Sequence, residues 1–297
     1  MSAVTILHAD RGDPIARIAR AKGKAGDVRV LHLDDWLQLV QPRPWPQMLA
    51  VRADASGAPI VGRHVVNRLF TVAATATGRR LEQGSRNERW LHMHLQQVFE
   101  PAASLAYEPG VRGISRALLP LNLQWSSLRH EVDIRVPRFV YGFGFQRPDT
   151  AGLRNPMQKS IWSLFDWDQE RHLPPIEAAR HQFFVERPSG EPVLACFLGE
   201  HVCAPLHPHG QPLFLAEADA AELRRICQAA RRAFHAEAGE LLLYRDQQGW
   251  VFHAFSPHLR SAQQMPDFEL RARAWMEDLC SPGVRVVSGQ TADHRSS

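Results

Sequence analysis

The sequence predicts a two-lobed α/β protein. An N-terminal, mostly parallel α/β domain spans residues 1–135, an α+β domain with antiparallel sheets spans 136–280, and a polar tail occupies 281–297. Three observations carry this prediction. The apolar run Thr5 to His8, a helix start at Asp13-Pro14 and the apolar run Val28 to Leu33 follow one another with short connections, the pattern of a parallel βαβ unit. Two later segments, Val193 to Ala204 and Glu240 to Pro257, read as β-hairpins. The length of 297 residues exceeds that of a typical single domain.

In chain order, Asp13 is an N-cap acid and Pro14 fits the first helical turn, with Ile15, Ile18 and Ala19 on one face. Val28 to Leu33 is nearly continuously apolar, as a strand buried on both faces requires. A Pro-rich excursion (Gln41 to Pro46) and a hairpin-like stretch (Asp54 to Pro59) precede a third strand, Val65-Val66, that runs into Asn67-Arg68. A long amphipathic helix follows, capped by Ser85 with Glu88 three residues on, its apolar face formed by Trp90, Leu91, Leu95, Val98 and Phe99. Gly113 to Arg129 is a second helix-like segment, interrupted by Pro120, and Val136 to Val140 is extended.

In the second half, Lys159 to Trp167 is a candidate strand, Asp168 to Arg171 a charged loop, Ile176 to His181 a helix and Gln182 to Glu186 a further apolar stretch. A hairpin turns at Leu198-Gly199, and Ala218 to Ala236 is helical, apolar at Leu223, Ile226, Cys227, Ala230 and Phe234. The last hairpin pairs Leu241–Tyr244 with Trp250–Phe255 across Asp246-Gln247-Gln248-Gly249, where glycine supplies a positive φ.

Composition excludes several function classes. A hydrophobic fraction of 44% with 22% charged residues belongs to a globular chain. No apolar run is long enough for a membrane span and no leader is visible, so a cytoplasmic protein without membrane attachment is expected. The net charge of +4 is spread among acids rather than striped, which argues against a nucleic-acid partner. The cysteines Cys196, Cys203, Cys227 and Cys280 form no Cys-x-x-Cys pair and read as free thiols. Cys196, His201, Cys203, His207 and His209 offer zinc-type ligands within fourteen positions, although their spacing suits a hairpin and a surface loop equally. Lysine is confined to Lys22, Lys24 and Lys159. In a chain that otherwise uses arginine, Lys159 is either a chance surface residue or a compact point charge suited to a phosphate oxygen.

The order of these elements resembles the ATP-grasp superfamily, the glutathione-synthase-like and peptide-modifying ligase group in particular. The resemblance rests on the Val-Pro strand at Val136-Pro137, the Gln182-Phe183-Phe184-Val185-Glu186 segment, the Gly199-Glu200 turn, the closing hairpin and Val65-Val66-Asn67-Arg68. It implies ATP as cofactor, with Lys159 on phosphate and the adenine base against the peptide groups after Gln182, at Phe184 and Val185. It further implies Glu240 as a magnesium ligand, and Asn67 and Arg68 on a substrate carboxylate. The activity implied is ATP-dependent carboxylate–amine ligation on a peptide or amino acid.

The sequence departs from that pattern at the metal. The hairpin's usual carboxylate and amide positions fall on Ala254 and Ser256, which supply no carboxylate, and His253 is a poor partner for a hard cation. Val193 stands where the family places a phosphate-binding arginine, and no glycine lies between Gly152 and Gly190 to form a phosphate loop. An eroded magnesium site is therefore expected, and a binding module without catalysis is the alternative. The Cys196–His209 metal site is a remote third reading.

Overall fold

The computed structural model describes residues 4–22, 27–39, 61–70, 95–96, 99, 102, 104–106, 119–142, 148–159 and 182–281. The excursions at 41–46 and 54–59, most of the Ser85-capped helix, the stretch 160–181 and the tail from 282 lie outside these residues. The chain groups into two units: one takes in residues up to Ala117 together with His235–Glu237 and the stretch from Glu269, the other Leu118–Phe234 and Ala238–Phe268.

The first unit is built on a parallel sheet. β1 (Val4–His8) is fully buried because it pairs on both sides, with β2 (Val28–His32) and β3 (His64–Arg68), and β4 (Ser104–Ala106) completes the order β2-β1-β3-β4. The three strands expected from sequence are thus parallel neighbours. The register pairs His8 with both His32 and Arg68, so three polar side chains stand together at the carboxyl ends of adjacent strands. The helix α1 (Pro14–Lys22) starts where predicted, Asp13 Oδ1 accepting the Ala16 amide at 2.9 Å. A second helix, α2 (Leu33–Leu39), follows β2 directly and buries Trp36 against Leu7, Leu31, Val65, Leu95 and Phe99.

The second unit holds two antiparallel sheets. One has the order β5 (Phe139–Gly142), β7 (Gln182–Glu186), β6 (Pro156–Gln158). In the other, β11 (Gly249–Ser256) pairs with β10 (Ala238–Asp246), then β8 (Glu191–Leu198) and the two-residue β9 (His201–Val202). The β10–β11 turn is the predicted one. Gly249 has φ +106°, and Asp246 Oδ1 takes the Gln248 amide at 2.8 Å. Gly239 is required for a different reason, since a Cβ there would come within 2.2 Å of the Phe255 ring.

Two helices pack on this unit. α4 (Glu217–Phe234) covers one face of the β10–β11 sheet, Phe234 stacking on Phe255 at 4.5 Å and lying 5.9 Å from Phe252. α3 (Leu121–Glu131), placed before the domain boundary in the sequence reading, packs on α4 and β11. Pro120 does not interrupt this helix; it is the N-cap, its extended φ/ψ of −64°/150° starting the helix at Leu121. The final helix, α5 (Phe268–Cys280), buries Trp275 and Met276.

Candidate functional site

The second unit presents its chemistry on the face of the β10–β11 sheet opposite α4. Strand alternation places Glu240, Leu242 and Tyr244 on that face. On β11 the register slips between Leu242 and Leu243: Leu242 pairs with Ala254 and Leu243 with Phe252, leaving His253 as an extra residue. Such a β-bulge bends the strand and re-aims a side chain. Phe252 and Phe255 both remain against α4, while His253 turns to the other face and meets the Tyr244 ring edge-to-face at 5.5 Å.

Lys159 lies against this bulge. Its backbone N–H donates to Phe183 O at 3.0 Å, continuing β6 beyond Gln158, and its side chain is buried with Nζ 3.1 Å from His253 Nε2. Of the predicted strand Lys159 to Trp167, only Lys159 lies within the described residues. His253 is fully buried, and burial, with the neighbouring Lys159 charge second, holds its imidazole well below the usual range and hence neutral.

The edge strand is held by side chains the sequence reading passed over. Gln124 Oε1 accepts the Phe255 amide at 2.7 Å, Trp125 Nε1 donates to His253 O at 2.8 Å, and the Phe252 amide donates to Arg135 O at 2.9 Å. These groups satisfy the outer edge of β11 on both sides of the bulge. Within the helix-like segment Gly113 to Arg129, the polar Gln124 beside the apolar positions was the available signal.

The magnesium positions are a poor fit to the ion. Glu240 pairs with Ser256 across the hairpin, but its carboxylate accepts three backbone amides, from Arg260 (3.1 Å), Ser261 (3.0 Å) and Ala262 (2.8 Å). It pins the turn entering a 3₁₀ segment at Ala262–Gln264. Ser256 Oγ accepts the His258 amide at 3.2 Å, and Ala254 has no donor atom in its side chain. A hard dication needs several free oxygens, and these residues do not offer them.

The expected adenine segment is the central strand of its sheet. Phe184 faces Val140 on one side and Gln158 on the other, and Val185 faces Phe139 and Met157, so the peptide groups are engaged along both edges. A base held at Phe184 or Val185 would meet side chains rather than unpaired amides.

In the first unit, Asn67 and Arg68 end β3 fully buried. Arg68 Nε donates to Asp13 Oδ2 at 2.6 Å, joining the end of β3 to the cap of α1, and its guanidinium lies 4.9 Å from the Phe70 ring centre. Asn67 Oδ1 accepts the Leu69 amide at 3.3 Å. Beside them His8 Nδ1 donates to Asp10 O (2.8 Å) and its Nε2 accepts from Arg20 (2.7 Å), since a guanidinium can only donate. Burial first, with Arg20 adding, lowers the His8 pKa in keeping with that neutral tautomer.

The Cys196–His209 metal reading is corrected by the fold. Cys196 and Cys203 point into the core, whereas His201, His207 and His209 are partly or wholly exposed. Among the described residues no group of three or more His, Cys, Asp or Glu side chains is placed to hold a metal ion. Burial drives the Cys196 thiol well above its usual range, so it stays a thiol. Nor is any helix among the described residues long and apolar enough to cross a membrane.

No protein family model matches the chain, and no curated protein matches it. Solved structures do. The chain is similar to the ATP-grasp ligase PsnB complexed with minimal precursor, Mg and ADP, with a TM-score of 0.62, 13% identity and coverage of 94% of this chain and 99% of that one. It is similar to the macrocyclase MdnC bound with precursor peptide MdnA from Microcystis aeruginosa MRC (TM-score 0.56, 12% identity, 92% and 99% covered). A RimK domain ATP-grasp protein from Sphaerobacter thermophilus DSM 20745 also matches (TM-score 0.51, 13% identity, 91% and 98% covered). The chain has the ATP-grasp fold.

Proposed function

We propose that the protein binds a nucleotide in the second unit and is related to ATP-dependent carboxylate–amine ligases acting on a peptide or amino acid, with its magnesium site eroded. The observation that carries this reading is Lys159, a buried lysine on the face of the hairpin sheet opposite α4, in a chain that has only two other lysines. Lys159 holds a phosphate oxygen, and the base lies along β7 at Gln182, Phe184 and Val185. Asn67 and Arg68 stand at the carboxyl ends of parallel strands, where ligands collect; Arg68 receives a substrate carboxylate in exchange for Asp13. PsnB and MdnC were each solved with a precursor peptide, PsnA2 and MdnA, which supports a peptide as the substrate class.

Magnesium supplies charge neutralisation in phosphoryl transfer. No step is assigned to it here, because Glu240 is engaged by three amides and Ala254 and Ser256 supply no carboxylate. That same engagement of Glu240 favours the second reading, a module that binds nucleotide or partner without catalysis.

Thermal unfolding with added ATP or ADP tests the proposal. Nucleotide raises the Tm of the parent protein, and Lys159→Met abolishes the rise while leaving the fold intact. No rise with any adenine nucleotide contradicts the reading.

A further inference from the structure

The bulge in β11 has a specific product: an imidazole lone pair aimed at the one buried lysine among the described residues. We propose that His253 is a positioning residue for Lys159, its Nε2 holding the ammonium on the face of the β10–β11 sheet opposite α4. The inference rests on the nucleotide reading for its functional consequence, but not for its geometry.

An ammonium has donors only, so at 3.1 Å the His253 Nε2 must accept and the ring proton must sit on Nδ1. Nδ1 has no hydrogen-bond partner among the described residues. A buried polar atom left without a partner carries a cost, and the bulge accepts it in order to place Nε2. The bulge itself is secured from the edge by Trp125, which donates to the His253 carbonyl, and by Gln124 at Phe255. On an unbulged strand one position would be lost, and His253 could not share a face with Ala254 while Phe252 and Phe255 both remained against α4. Lysine has four rotatable side-chain bonds, and fixing its head group in advance lowers the entropy cost of meeting an anion. A neutral imidazole is suited to this task because it orients the cation without cancelling its charge, as a carboxylate would.

The full-length protein allows a direct test, because only three lysines contribute side-chain signals. With lysine labelled by ¹³C and ¹⁵N, Lys159→Arg identifies the Lys159 resonance. His253→Phe preserves the ring volume and the contact with Tyr244, and His253→Gln restores an acceptor. The expected result is that the Lys159 ammonium protons exchange slowly in the parent and in His253→Gln, and rapidly in His253→Phe. ATP affinity falls about tenfold in His253→Phe and recovers in His253→Gln, the size expected for a hydrogen bond to a charged group. An unchanged Lys159 signal in His253→Phe overturns the proposal. If the parent binds no nucleotide yet the Lys159 signal responds to His253→Phe, the positioning role stands and the nucleotide reading fails. Should His253→Phe not fold, ¹⁵N-histidine spectra of the parent decide: the Nδ1–H tautomer at His253, assigned with His253→Gln, supports the proposal, and the Nε2–H tautomer overturns it.

Discussion

Each unit buries a cation, and the two are handled differently. Arg68 in the first unit is matched by a carboxylate, Asp13, which also caps α1; the pair is neutral and ties a strand end to a helix start. Lys159 in the second meets His253, whose neutral imidazole offers a lone pair rather than a charge. A neutral buried pair serves the fold, because it can be satisfied from within the chain. An uncharged acceptor orients an ammonium without itself neutralising it, and this contrast supports the proposal that the second unit binds a nucleotide.

The largest effect expected from breaking the contrast lies in the first unit. Asp13→Ala removes a carboxylate partner from the buried Arg68 and also the α1 cap, at about 3–5 kcal/mol, measurable by urea unfolding. His253→Phe removes a neutral acceptor and costs about 1–3 kcal/mol. Equal costs for the two substitutions would erase the distinction drawn between the pairs.

Glu240 provides the next test. Its carboxylate holds three amides, so Glu240→Gln lowers stability by about 1–3 kcal/mol with or without magnesium. A parent protein whose Tm rises with millimolar magnesium, and a variant whose Tm does not, would restore Glu240 to the metal site.

How much of this was legible in the sequence depends on whether the information was local. The β1–α1–β2 unit and the β10–β11 hairpin follow from runs of apolar residues, one capping acid and one turn glycine, and the structure has them within a residue or two. Pro120 illustrates an ambiguous local signal: a proline inside an apolar run reads as a break, but φ near −65° also suits a helix start, and packing of α3 on β11 selected the latter. The site was less legible because its determinants are distant in sequence. Arg68 finds Asp13 across 55 positions, Lys159 finds His253 across 94, and Gln124 finds Phe255 across 131. The bulge at His253 leaves no trace in residue type. The flanking of β7 by two other strands likewise cannot be read from Gln182–Glu186 alone, and it changes how those residues can meet a base.

A smaller effect is expected at low pH, far along the hairpin from the Lys159 site. Asp246 at the β10–β11 turn receives two hydrogen bonds from Arg135, which, with the Gln248 amide and Ser189 hydroxyl adding, lower its pKa to about 2 from an ordinary 3.8. Because the folded pKa is the lower one, the stabilisation is fully present above about pH 4 and is lost as pH falls through 2. Arg135→Leu therefore lowers Tm modestly above pH 4, and the parent and variant curves converge toward pH 2. Parallel curves across that range would show that the ion pair does not operate in solution. This turn lies outside the contrast between the two cations, so the acid limb should be unaffected by Lys159→Met.

As proposed, the second unit recognises a nucleotide through Lys159 rather than through bound magnesium. Calorimetric titration of ATP with and without magnesium tests it most directly. The expected result is weak binding with nearly the same affinity in both conditions, since little remains to couple ion and triphosphate. Strong binding that requires magnesium, or steady ADP release in the presence of a candidate peptide and amine, would contradict it.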